Sequence, residues 1–240
     1  MLVAAAVCPC PPLLVPEVAA GAASETDAVR AACYDALGVL AAARPDRLVA
    51  VGPAQQPGRG PHPPGARGSF RGFGVDLEVR LGRPTPGGEP PKRPLPASLA
   101  VGAWLLERTG WSGAASGLGV GEPLERDRCA VAGAELAAGR ERLALLVLGD
   151  GSNCRTYKAP GYFDERAAGF DAAAGRALGA ADTGGLLALD EELAYELNAS
   201  GRSCWQLLAG AADASGGGLE GRLLYDEAPY GVGYLVAAWS

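Results

Sequence analysis

Short apolar runs alternate along this chain with amphipathic stretches, a pattern that predicts buried strands joined by helices. The clearest run is 143–148, where six consecutive apolar residues are followed by a Gly-Asp-Gly turn. This run is too short for a buried helix and predicts a central strand that is covered on both faces. Residues 2–7 and 48–52 predict two further buried strands, and apolar positions spaced by three and four predict an amphipathic helix between them. Strand, helix and strand in this order favour a parallel βαβ unit.

The rest of the chain continues the alternation, except for a long proline- and glycine-rich region from 53 to 96. Eleven of the nineteen prolines fall in that region, and only 75–81 alternates there as a strand would. Residues 8–16 are also proline-rich and predict an extended loop. Beyond the long loop, the predicted elements are helices at 99–108, 127–139, 164–178, 190–198 and 202–212, and strands at 113–120, 219–225 and 232–239.

These elements predict an α/β fold in a single domain that spans residues 1–240. We expect a central, mixed, mostly parallel sheet with helices on both faces. The last two strands are close enough in sequence to pair as a C-terminal β-hairpin.

Composition narrows the choice of partners and compartment. The net charge is −6 and no run of lysine or arginine exceeds a pair, so we expect neither nucleic acid nor a membrane surface as partner. The apolar N-terminus is too short for a transmembrane span and has no basic segment before it. We therefore expect a cytoplasmic protein whose six cysteines are free thiols. A small-molecule ligand and a homodimer are both compatible with this composition.

The turn after the central strand carries the first candidate site residues, Asp150, Ser152, Asn153 and Cys154. Ligands of open α/β sheets bind beyond the carboxyl ends of the strands, so these side chains predict a pocket there. The alternative is that Gly-Asp-Gly forms only a tight turn with a capping aspartate. Several tyrosines, among them Tyr230, place polar groups near the same edge, although core packing explains most of them.

Thiols and a lone histidine are the other candidate chemistry. Cys10 and Cys154 follow two predicted strands and could converge as catalytic thiols or as ligands of copper or zinc. The alternative is incidental burial. His62 is the one histidine of the sequence, and a lone histidine in a loop is more often solvated than a ligand. No nucleotide-binding glycine motif is present in the sequence.

Several segments resemble one protein family. Residues 8–17 (CPCPPLLVPE) resemble the start, CPHPPLLVPE, of actinobacterial proteins in the class III extradiol ring-cleavage dioxygenase superfamily of LigB-like proteins, which also contains the Memo proteins. Residues 149–152, 159–162 and 228–235 look like the same group, in the same order. The resemblance covers nearly the whole chain.

The resemblance implies a site for Fe(II) bound by two histidines and a glutamate, with a further histidine as acid/base. At the position of the first histidine this chain has Cys10, and at the second it has Ala54. Ser200 stands where the third ligand is expected, and Asn153-Cys154 where the acid/base histidine is expected. Without imidazole or carboxylate ligands, the facial-triad type of iron site has nothing to hold the metal.

Three hypotheses follow. The first is a member of the superfamily that has lost ring cleavage and keeps its pocket for a small molecule or a partner. The second is an enzyme with thiol or soft-metal chemistry at Cys10 and Cys154. The third is a true dioxygenase whose iron is held by His62 with Asp150 or Glu227. The cofactor is correspondingly either none or a single iron, copper or zinc ion.

Overall fold

The computed structural model describes residues 1–86 and 91–240. Strands in this part of the chain are β1 (Leu2–Cys8), β2 (Arg47–Pro53), β3 (Gly60–His62), β4 (Arg67–Ser69), β5 (Glu78–Arg80), β6 (Ala115–Val120), β7 (Leu143–Leu148), β8 (Gly221–Glu227) and β9 (Tyr234–Trp239). Seven of them form the main sheet in the order β3-β6-β2-β7-β1-β9-β8, while β4 pairs with β5 in a separate small sheet.

The run that predicts the central strand is β7, the middle strand of the main sheet. All six of its residues are buried, because helices cover both faces of the sheet at this point. It pairs in parallel with β1 and β2, and β2 pairs in parallel with β6. β9 adds to β1 in antiparallel fashion and forms the C-terminal hairpin with β8. The predicted fold class is therefore confirmed, with β7 inserted between the two strands of the first βαβ unit.

Helices in the same part of the chain are α1 (Pro16–Ala19), α2 (Asp27–Ala42), α3 (Ala97–Arg108), α4 (Arg126–Ala137), α5 (Ala167–Gly179), α6 (Thr183–Leu187), α7 (Glu191–Glu196) and α8 (Arg202–Ala214). Alternate residues of the strands point into two separate cores. α2 and α3 cover one face of the sheet, whereas α5 and α8 cover the other and α4 packs against α8. This alternation is the period-two geometry of a strand buried on both sides.

The proline-rich segments hold more regular structure than their sequence predicts. The described residues of region 53–96, which are 53–86 and 91–96, contain three short strands instead of one, and only β5 overlaps the expected strand at 75–81. β3 contains Pro61 and lies at the edge of the main sheet, where a missing N–H is tolerated. The expected extended loop at 8–16 includes a 3₁₀ turn at Pro12–Leu14 and runs into α1, since proline is compatible with the first position of a helix.

Two short helices of the described residues were not predicted, α1 and α6. α6 begins after Asp182, whose carboxylate accepts a hydrogen bond from the N–H of Gly185 at 2.9 Å. Two glycines follow Thr183, and glycine has a low helix propensity. The capping aspartate alone was therefore not enough to predict a helix here. Within the described residues, no helix combines the length and the apolar character that crossing a membrane requires.

Candidate functional site

The carboxyl ends of three neighbouring strands meet at one cleft. Val147 of β7 pairs with one residue of β1 and one of β2, and Cys10, Ala54 and Asp150 each lie three residues beyond these pairs. The parallel register therefore brings the three residues to the same edge of the sheet. This is the edge at which open α/β sheets bind ligands.

The cleft has two lobes that share Cys10, Glu122 and Ser200. The first lobe has a volume of about 570 Å³ and is also lined by Pro53, Ala54, Gln55, Pro57, Gly58, Arg93, Pro94, Leu95, Pro96, Ala97 and Ser98. The second lobe has a volume of about 480 Å³ and is also lined by Pro11, Pro12, Leu13, Asp150, Gly151, Asn153, Pro160, Asn198, Tyr230, Val232 and Tyr234. Each volume lies in the range typical of small-molecule sites.

A close approach of two glycines joins Ser200 to the end of β7. A Cβ on Gly149 would lie 2.3 Å from the Cα of Gly201, so neither backbone could come as near with a larger residue. The N–H of Asp150 donates to the Oγ of Ser200 at 3.2 Å, and the N–H of Gly201 donates to the carbonyl of Asp150 at 2.8 Å. The segment before α8 is thereby fixed against the central strand.

Asp150 is a carboxylate of the cleft whose pKa is raised. Its Oδ1 accepts a hydrogen bond from the backbone N–H of Cys10 at 2.8 Å. Burial raises the pKa of Asp150 to about 6, although this N–H acts in the opposite direction. Near neutral pH the carboxyl group can therefore exchange a proton or pair with a ligand, which is a property of functional carboxylates.

Cys10 has a neutral thiol in this environment. Burial raises its pKa well above the ordinary range of a thiol, and the nearby Asp150, Cys204 and Glu122 act in the same direction. A thiolate is the form that attacks as a nucleophile or binds a metal, and here it is disfavoured. Cys10 lines both lobes of the cleft.

Cys154 and Cys10 belong to different cores. Cys154 is 2% exposed and packs among the apolar residues beneath α5 and α8, whereas Cys10 belongs to the core beneath α2 and α3. Its sulfur contacts the Asn153 side chain at 3.3 Å and the Gly161 carbonyl at 3.4 Å. The structure does not bring the two thiols together in the cleft, although Asn153 lines its second lobe.

Ser152 supports the loop after β7 and is not among the residues that line the lobes. It is fully buried, and its N–H and hydroxyl each donate to Asp171 of α5 at 2.7 Å. Arg155 completes the group, with its guanidinium 3.0 Å from the same carboxylate. Sequence reasoning missed Asp171, although it lies between Phe170 and Ala174 on the apolar face of α5.

His62 is buried, so the expectation of a solvated histidine is wrong. It is 1% exposed on β3, and its Nε2 lies 2.8 Å from the carbonyl oxygen of Gly58. Burial is the main reason why its pKa is lowered, which favours the neutral ring. Gly58 lines the first lobe, but His62 is not among the lining residues. β3 holds the ring at the edge of the sheet instead.

Glu122 is a polar lining residue that was not predicted from the sequence. It follows β6, so the rule that sites form at strand ends could have found it. Tyr234, one of the tyrosines whose polar groups were expected near this edge, begins β9. β9 is antiparallel to β1, and its first residue therefore lies at the same edge as the ends of the parallel strands. Tyr230 has a positive φ of 60° and donates its hydroxyl to Glu25 at 2.8 Å.

The residues present do not fit an iron centre of the facial-triad type. Ala54 offers no ligand atom, Ser200 offers a hydroxyl, and Cys10 offers a neutral thiol. Across residues 1–86 and 91–240, no group of three or more histidine, cysteine, aspartate or glutamate side chains is placed to hold a metal ion. Such a centre needs two histidines and a carboxylate that converge on one point.

Comparisons with known proteins place the fold and nothing finer. No family model matches the chain, and no curated protein matches its sequence. Among solved structures, it is similar to the crystal structure of the uncharacterized protein JW3007 from Escherichia coli K12. The two share 12% identity over 99% of each chain, with a TM-score of 0.59. At this identity the likeness extends to the architecture of the chain alone.

Proposed function

We propose that this protein binds a small organic molecule in a pocket like that of the class III extradiol dioxygenase superfamily, without iron-dependent ring cleavage. One observation carries the proposal. Cys10, Ala54 and Ser200, which the sequence resemblance aligns with the three iron ligands, line the same lobe of one cleft. They are 44 and 146 residues apart in sequence, so their meeting supports the alignment on which the resemblance rests.

The same three side chains argue against the iron chemistry of that superfamily. An alanine at the second ligand position removes one donor outright, and a serine hydroxyl is a weak replacement for a carboxylate. The thiol of Cys10 keeps its proton because burial raises its pKa. We therefore propose the superfamily relationship and the loss of iron chemistry together. The first explains why these three positions meet, and the second explains why they lack iron ligands.

The cleft itself supports a binding role. Its lobes combine apolar walls, which are largely proline, with a few convergent polar groups such as Asp150 and Asn153. This composition is typical of small-molecule sites, where apolar area provides affinity and a few polar atoms fix the orientation. Asp150 is held by a backbone hydrogen bond, so the polar wall is preorganised before a ligand arrives.

Iron binding and catechol turnover test the proposal. We expect the purified protein, reconstituted anaerobically with Fe(II) and desalted, to retain substoichiometric iron and to leave catechol unopened in air. The matched variant combines Cys10→His, Ala54→His and Ser200→Glu, which restores the expected ligand set in the same cleft. We expect this variant to retain close to one iron per chain, measured by elemental analysis.

The two proteins together separate the parts of the proposal. Ring opening of catechol by the wild-type protein, followed by the absorbance of the yellow product, would contradict the loss of iron chemistry. A folded triple variant that retains no more iron than the wild type would contradict the assignment of these three positions. Circular dichroism establishes that the variant is folded before either result is interpreted.

A further inference from the structure

The second lobe contains a carboxylate oxygen without a protein partner. Oδ1 of Asp150 accepts the N–H of Cys10, whereas Oδ2 has neither a hydrogen bond nor an ion pair among the described residues. Asp150 lines the lobe, so its carboxylate faces the cavity. A partly buried charge without a counter-charge is costly, and a ligand that supplies the opposite charge removes that cost.

The groups around this oxygen are acidic or neutral. The titratable groups that line the lobe with Asp150 are Cys10 after β1, Glu122 after β6, Tyr230 before β9 and Tyr234 at its start. Among the described residues that line the second lobe, there is no lysine, arginine or histidine. Cys10, Tyr230 and Tyr234 all have raised pKa values, so these three remain uncharged near neutral pH.

The basic side chain of the first lobe is already engaged. The guanidinium of Arg93 donates to the carbonyl oxygens of Pro57 and Pro61, at 3.2 and 2.9 Å. By contrast, Asp171 has Arg155 at 3.0 Å. Among the described residues, Asp171 thus has a cationic partner and Asp150 has none.

We propose that the second lobe binds the protonated amine of a small organic molecule, with the ammonium group paired to Oδ2 of Asp150. This inference rests on the proposed binding function and names the class of its ligand. Tyr230 and Tyr234 line the same lobe, and aromatic residues near a cation stabilise it. A metal ion is a poorer match, because no group of three ligand side chains converges in the described residues.

Three probes that share one benzyl or phenyl ring and differ in charge measure the preference for a cationic ligand. The probes are benzylamine, benzyl alcohol and benzoate, titrated into the protein by isothermal calorimetry at pH 7.5. We expect benzylamine to bind about tenfold more tightly than benzyl alcohol, with benzoate the weakest, because a charged hydrogen bond adds to the same apolar contact. Its affinity should rise with pH through about 6, as Asp150 ionises while the amine stays protonated.

Two variants test whether the preference for benzylamine depends on the carboxylate of Asp150. Asp150→Asn keeps an oxygen for the Cys10 N–H and removes the charge, so benzylamine should fall to the affinity of benzyl alcohol. Asp35→Asn removes an exposed carboxylate of α2 that lines neither lobe, and the preference should remain. Together they distinguish a pairing at Asp150 from the general attraction of an acidic protein.

The outcomes distinguish a failure of this inference from a failure of the proposed binding function. Binding of the neutral or the anionic probe as tightly as benzylamine would overturn the cationic preference and leave a binding cleft in place. A benzylamine preference that survives Asp150→Asn would overturn the role of Asp150. If no probe shows saturable binding up to millimolar concentration, the proposed binding function itself fails for one-ring molecules of this kind.

Discussion

Two aspartates lie within a few residues of the same loop and have opposite surroundings. Asp171 is fully buried on α5 and receives the N–H and hydroxyl of Ser152 and the guanidinium of Arg155. Asp150 lines the second lobe and, among the described residues, receives one N–H, from Cys10. Burial raises the pKa of both carboxyl groups, but several partners oppose it at Asp171 and one opposes it at Asp150.

The number of polar partners distinguishes a structural carboxylate from a candidate binding carboxylate. Partners on every side indicate that Asp171 holds the loop after β7 against α5, with no atom left for a ligand. A carboxylate with a single partner and an open cavity in front of it is incompletely paired. This arrangement costs folding free energy, and proteins retain such arrangements mainly at functional sites. Three experiments sharpen or break this comparison.

Replacement of the structural aspartate should have the largest effect. Asp171→Ala leaves the buried N–H and hydroxyl of Ser152 without an acceptor, so we expect a loss of about 3 to 5 kcal/mol in the free energy of unfolding. Urea denaturation followed by circular dichroism measures it. Asp35→Ala, at an exposed position of α2, is the control and should change stability by less than about 0.5 kcal/mol. Equal effects of the two substitutions would break the distinction.

The close backbone contact beneath Asp150 should give the next largest effect. In Gly149→Ala, the new Cβ would meet the Cα of Gly201 at 2.3 Å, so the two segments must separate. We expect a loss of about 2 to 4 kcal/mol, from overpacking together with an unfavourable backbone conformation. Thermal unfolding measures this loss. Gly169→Ala on α5 is the control, because its Cβ would meet nothing within 4 Å.

Removal of the charge on Asp150 should have the smallest effect, with the opposite sign. Its pKa is about 6 in the folded protein against 3.8 for the free side chain, so the folded state binds more protons between these values. Stability therefore falls as the pH rises from about 4 through 6, and Asp150→Asn removes that fall. We expect the variant to be about 1 to 2 kcal/mol more stable than the wild type at pH 8 and nearly equal at pH 4.

Chemical denaturation at the two pH values measures this difference. Asp182→Ala is a useful contrast, because Asp182 caps α6 and the loss of its side-chain acceptor should destabilise the protein. A variant at Asp150 that is less stable at pH 8 would mean that its carboxylate supports the fold. The two aspartates would then differ in location but not in role.

Most of the architecture follows from local patterns in the sequence. The six apolar residues of β7, the helical spacing of α2 and the paired apolar runs of β8 and β9 each determine one element. The short strands β3 and β4 were missed because proline and glycine suppress the alternation that marks a strand. Their pairing comes from neighbours far along the chain, which no local window contains.

Sequence rules placed some of the candidate site residues correctly in the cleft and others not. The strand-end rule found Asp150 and Asn153, and the resemblance pointed to Cys10, Ala54 and Ser200, all of which line the cleft. By contrast, Ser152 and Cys154 follow the same strand and point into buried packing, because successive side chains of a turn face different directions. Sequence position alone does not determine that direction.

The sequence by itself determined the kinds of elements, their order and the edge at which polar residues collect, because these depend on hydrophobic period and on turn residues. Only the tertiary structure decided that β7 separates β1 from β2, that His62 is buried at the sheet edge, and that Asp171 has an ion pair whereas Asp150 has none among the described residues. The physical reason is that strand order, burial and ion pairing are set by contacts between residues distant in sequence.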